Sequence, residues 1–93
     1  MANFVIKKSG EKEPFDAEKI KNAIRAAARG TEVEEERVNQ VVEQVSGVVL
    51  QMAGEKEEIA TSELRDKILS ELDSIEPDIS ASWRRHNQEQ EKV

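Results

Sequence analysis

Ninety-three residues suffice for one domain with a modest core, and are too few for a deep catalytic cleft between two domains. Charged residues make up 37% of the chain, with a net charge of −6, which argues against non-specific binding to nucleic acid and for solvated helix faces. Cysteine is absent, excluding disulfides, thiolate metal sites and thiol nucleophiles, and no run approaches the roughly 18 apolar residues of a membrane span.

Residues 3–15 predict a β-hairpin. Phe4 to Lys8 is a short β-rich run, Ser9-Gly10-Glu11 supplies the turn, and Lys12 to Phe15 returns. Gly10 is the natural place for a positive φ, and Pro14, with no N–H to donate, belongs on a short or edge strand. Asp16 stands at an N-cap position before a helix over about 17–29, whose apolar face is Ile20, Ala23, Ile24 and Ala27. Gly30 supplies its stop. Thr31 with Glu34 fits a capping box for a second helix over about 32–53.

That second helix carries the clearest period in the chain. Val38, Val41, Val42, Val45, Val48, Val49 and Met52 form a stripe opposite Glu and Gln. The stripe is read first as an intramolecular core face, with a seam between two copies as the alternative. Ile59-Ala60 is a candidate third strand, and Thr61 or Ser62 a cap for a helix over about 62–73 with Leu64, Ile68, Leu69 and Leu72 inward. Pro77 opens a last helix over about 78–87 that carries Ile79 and Trp83, followed by a polar tail over 88–93. The fold expected is α+β, mainly α: about four helices capped by an N-terminal hairpin or a short three-stranded sheet, as a single domain over 1–93.

The residues do not read as an enzyme. His86 has no serine, cysteine or aspartate pattern that would make it a triad member, and no serine sits in a Gly-x-Ser-x-Gly turn. The acidic runs Glu34-Glu35-Glu36 and Glu57-Glu58 lack calcium-loop spacing, so no metal site is expected. Cations are distributed less evenly. Lys7, Lys8, Lys12, Lys19, Lys21 and Arg25 gather near the N-terminus and around a helix start, a local positive field in an acidic chain. Strand alternation directs only one of Lys7 and Lys8 straight into a given pocket.

The run Val5-Ile6-Lys7-Lys8-Ser9-Gly10-Glu11-Lys12-Glu13-Pro14-Phe15-Asp16-Ala17-Glu18-Lys19-Ile20 resembles the opening motif of the ATP-cone domain. Thr61-Ser62-Glu63-Leu64 is similar to its later element, and Ser80-x-x-Trp83-x-x-His86 weakly resembles its closing one. The resemblance implies a non-catalytic allosteric module that binds ATP or dATP with magnesium, with no tightly bound cofactor. Lys7 and Lys8 are then expected to contact phosphate. Glu13 and Phe15 are expected against base and sugar, Lys19 at the nucleotide, Ile20 against the adenine, Thr61 and Arg65 as further contacts, and Val5 as support. Lys8 stands where the family usually has arginine, which replaces a bidentate fork by a point charge. Arg84-Arg85 stands where the family tends to be apolar. The resemblance also implies a cytoplasmic setting and, as partner, a ribonucleotide reductase or another regulated protein. No membrane partner is expected, nucleic acid is not favoured, and a homo-oligomer is compatible with the sequence. The lack of cysteine excludes a zinc-ribbon repressor architecture within these residues, and with no reductase catalytic domain alongside, the reading is an excised or free-standing cone. The alternative is a cone-like helical domain used for protein–protein interaction or oligomerisation without nucleotide.

Overall fold

The computed structural model describes the backbone of residues 4–91 and the side chains of residues 4–85. Asn3 at the expected hairpin start, Lys92 and Val93 in the expected tail, and the side chain of His86 lie outside the described residues. In chain order the elements are β1 (Phe4–Ile6), β2 (Lys12–Pro14), α1 (Ala17–Ala28), α2 (Glu35–Gly54), β3 (Glu58–Ala60), α3 (Thr61–Ile75) and α4 (Pro77–Glu91). The architecture is α+β and mainly α: four helices with a small three-stranded sheet.

β1 is the central strand, antiparallel to β2 and parallel to β3. The hairpin turn is held by Lys7 N–H donating to Glu11 O and Gly10 N–H donating to Lys7 O, both at 2.8 Å, with Gly10 at φ +92°. Pro14 lies on an edge strand, where its missing N–H costs no ladder bond. Val5 is in register with Glu13 on one side and Ile59 on the other, so these three share one sheet face. Ile59 is buried, which identifies that face as the one toward the helices. Phe4, Ile6, Lys12, Pro14, Glu58 and Ala60 share the other face, where Lys12 Nζ reaches across β1 to Glu58 at 2.9 Å.

The helices close a ring: α1 and α3 each pack against both α2 and α4. Ile24, Val41, Val42, Val45, Val49, Leu72 and Ile79 are fully buried at its centre. The valine stripe of α2 is therefore consumed inside the chain and is not a free seam between copies; Val48 and Met52, at its margin, are half-buried. Valine forms helix poorly, and tertiary burial along one side of α2 overrides that propensity.

Four local expectations are corrected. Thr31 does not cap α2: its Oγ1 donates to Ala28 O at 2.7 Å and accepts from Val33 N–H at 3.2 Å, closing α1 instead. α2 accordingly begins at Glu35, after an extended Glu34 with no side-chain cap. Neither Thr61 nor Ser62 caps α3, because the helix already starts at Thr61 and the N-cap position falls on Ala60. Gly30 adopts no positive φ, and α1 ends on Arg29 in right-handed geometry. Glycine is needed there for proximity. A Cβ at Gly30 would lie 2.9 Å from Ser82 Oγ, which is held by its 2.6 Å bond to Ala27 O where α1 meets α4. α4 also runs on to Glu91, beyond the expected 87.

Side chains bridge the other helix junctions. Arg37 on α2 donates from Nε to Glu76 and from a terminal nitrogen to Ile75 O, both at 3.1 Å. Arg84 on α4 makes a two-pronged bond to Asp73 on α3, 2.9 Å on each prong. It holds the Asp73 carboxyl down at about 2, against an ordinary 3.8.

Gly30→Ala should destabilise by about 1 kcal/mol, although glycine-to-alanine at negative φ usually stabilises. In a Ser82→Ala background that penalty should shrink, a double-mutant cycle readable by urea denaturation. Because the folded-state pKa of Asp73 is depressed, its contribution is fully present above 3.8 and is lost as pH falls toward about 2. Asp73→Asn should flatten that part of the acid unfolding profile.

Candidate functional site

A cleft of about 630 Å³ opens between the helix-facing side of the sheet and the first turns of α1 and α3. That volume falls within the range of small-ligand sites. All nine residues singled out from the sequence line it: Val5, Lys7, Lys8, Glu13, Phe15, Lys19, Ile20, Thr61 and Arg65.

Each position follows from local structure. Val5 and Glu13 reach the cleft because register places them on the inner sheet face. Lys7 continues that alternation, whereas Lys8 escapes it: β1 ends at Ile6 and Lys8 already belongs to the turn. Both lysines consequently line the cleft, where alternation alone predicted one. Phe15 follows β2 as a half-buried connector packed against the core. Lys19 and Ile20 lie in the first turn of α1, Ile20 buried and Lys19 exposed. Thr61 and Arg65 are one helical turn apart on α3, and Thr61 Oγ1 donates to Ile6 O at 3.1 Å.

Sequence reasoning missed Ile6, Pro14, Asp16, Ala60, Ser62 and Leu64 as lining residues. Leu64 was legible only as a core position, and it is both core and cleft wall. Asp16 was legible only as a cap. It is one, its Oδ1 accepting from Glu18 N–H at 2.9 Å, so the carboxylate fills the anion seat at the start of α1. The start of α3 is different: it has no side-chain cap, and Ala60, Thr61 and Ser62 line the cleft. Of the closing Ser80, Trp83 and His86 motif, neither Ser80 nor Trp83 lines the cleft.

The cleft gathers four cations, Lys7, Lys8, Lys19 and Arg65, against two carboxylates, Glu13 and Asp16, in a chain of net charge −6. Lys7 Nζ lies 2.7 Å from Glu13 Oε1, and Lys19 Nζ lies 3.9 Å from Glu13 Oε2. The Lys7 hydrogen bond and the charge of Lys19 hold the Glu13 carboxyl below its ordinary range, and the same bond raises Lys7. Among the described residues no carboxylate lies within 4.0 Å of Lys8 or Arg65. No group of three or more potential metal ligands occurs among the described residues, and no described helix is long and apolar enough to cross a membrane.

Comparison with known proteins gives a consistent result. Residues 3–89 match the family model described as the ATP cone domain. Transcriptional repressor NrdR of Mesorhizobium japonicum is 34% identical over 77% of this chain and 44% of its own length. The NrdR repressor of Chloroflexus aggregans is 32% identical over 77% of this chain and 40% of its own. That of Methylobacterium nodulans is 36% identical over 72% and 33%. The chain thus spans less than half the length of these curated relatives.

Lys7→Met should return the Glu13 titration upward, toward the ordinary 4.5, in a carboxyl-detected NMR pH series. An unmoved Glu13 titration would mean that the pair does not form in solution.

Proposed function

The chain belongs to the ATP-cone family, and from that premise we propose that it is a non-catalytic regulatory module that senses ATP or dATP. The observation that carries the reading is convergence. Residues separated by up to sixty positions in sequence, Val5 to Arg65, line one cleft of nucleotide-compatible size and cationic character. Lys8 and Arg65 offer charge with no counter-ion among the described residues, Lys7 and Lys19 offer more, and the uncapped start of α3 adds backbone N–H donors suited to phosphate oxygens. Val5, Phe15, Ile20 and Leu64 provide apolar walls against which a purine can lie. In this reading the helix terminus that supports phosphate is that of α3, since Asp16 occupies that of α1. Magnesium in this reading travels on the phosphates.

Regulation is the role that fits a binding site whose two carboxylates pair with Lys7 and with Glu18 N–H, and which shows no grouped metal ligands among the described residues. The partner proposed is a ribonucleotide reductase or another regulated protein. The relatives are named transcriptional repressors, which puts in doubt the expectation that nucleic acid is not a partner. Net charge speaks against DNA on the acidic surface of this segment, and not against DNA as the target of a longer assembly that contains such a domain. The alternative, an interaction module indifferent to nucleotide, loses its main support because the valine stripe is internal.

Calorimetric titration with Mg-ATP, dATP and GTP should give saturable, adenine-selective binding in the micromolar range. Lys7→Ala and Lys19→Ala should each weaken it by roughly tenfold, the loss of one charge-assisted contact. Undiminished binding in both variants, or silence from all three nucleotides, would sink the reading.

A further inference from the structure

Glu13 occupies a particular place among the cations of the cleft. Its two carboxylate oxygens face two different ammonium groups, Lys7 at 2.7 Å and Lys19 at 3.9 Å, and its register with Val5 fixes it on the inner face of the sheet. Resting on the nucleotide-sensing reading above, we infer that Glu13 is a built-in competitor for the polyphosphate chain. It is an anion of the protein's own that engages Lys7 and Lys19 and has to release them before phosphate takes them.

An ammonium has three donors and can be shared geometrically, but its charge is not shared so easily. A phosphate placed on Lys7 would also sit beside the Glu13 carboxylate, where like charges repel. Binding through Lys7 therefore requires Glu13 to swing away. Lys8 and Arg65 have no such competitor among the described residues, so they make the first contacts, and Lys7 and Lys19 follow. Asp16, the other carboxylate of the cleft, is fixed by Glu18 N–H and contacts neither lysine. Glu11 acts on Lys7 only through space and does not line the cleft.

Affinity is then scaled by the fraction of molecules in which the lysines are free of Glu13. The pair is substantially exposed, Lys7 at 44% and Glu13 at 36% of side-chain area, so the scaling is several-fold and not orders of magnitude. This assignment departs from the resemblance, which sets Glu13 against base and sugar.

Inorganic tripolyphosphate, which has neither base nor sugar, separates the two roles. It would be titrated calorimetrically into wild type, Glu13→Gln and Glu11→Gln at one ionic strength, with ATP in parallel. Glu13→Gln should bind tripolyphosphate about threefold more tightly, with Glu11→Gln close to wild type. An equal gain in both variants overturns the inference, because it reports only the general field. So does unchanged or weaker tripolyphosphate binding in Glu13→Gln, and a selective loss of ATP there would return Glu13 to the base and sugar. Wild type that binds ATP while Glu13→Gln gains nothing leaves the sensor standing without its competitor. Wild type that binds no ATP removes the sensor, and the competitor with it.

Discussion

The parallel pairing of β1 with β3 is the constraint from which the rest of the molecule follows. A three-residue hairpin arm has little stability alone, and β1 gains its second neighbour only from residues some fifty positions later. That pairing brings the start of α3 to the carboxyl end of β1, where Thr61 donates to Ile6 O. It thereby supplies the second wall of the cleft. The two faces of the sheet then take different tasks: the inner one presents Val5, Glu13 and Lys7 to the helices, and the outer one is strapped by Lys12 and Glu58.

Much of this was legible in the chain because it depends on short-range periodicity or on a contiguous motif. The hairpin, Gly10, the Asp16 cap and the apolar faces of the helices follow from local chemistry. Seven of the nine candidate residues came from the opening motif, and the fold gathers them because that motif itself joins strand, turn and helix start; Thr61 and Arg65 came from the later element, and the β1–β3 pairing brings them in. Three features were hidden. Thr31 and Thr61 have hydroxyls whose partners depend on the path of the chain: one turns back to the helix it follows and the other reaches across to β1. Gly30 looks like a helix stop, yet its reason is Ser82, which only tertiary packing brings near. The ion pair of Glu13 with Lys7 was hidden too, since Glu11, Glu13 and Glu18 all lie near the lysines in sequence and register singles out one.

Electrostatics gives the chain a division of labour. Its acidic surplus lies on solvated helix faces and in ion pairs that tie elements together, such as Arg84 with Asp73 and Arg37 with Glu76. The cleft collects the opposite sign, four cations against two carboxylates in an otherwise acidic body.

The central position of β1 has a consequence for how the protein comes into being. The strand that organises the sheet is synthesised before its parallel neighbour, which emerges only after two helices have been made. Loop closure over that span is entropically costly, so β1 must wait, paired at most with β2, until the later strand arrives. During elongation α1 and α2 can form and begin to bury their apolar faces, while the cleft has only one side. The cleft therefore appears late and all at once, when the ribosome has released the start of α3, and a nascent chain cut short before that point would carry the opening motif without the second wall.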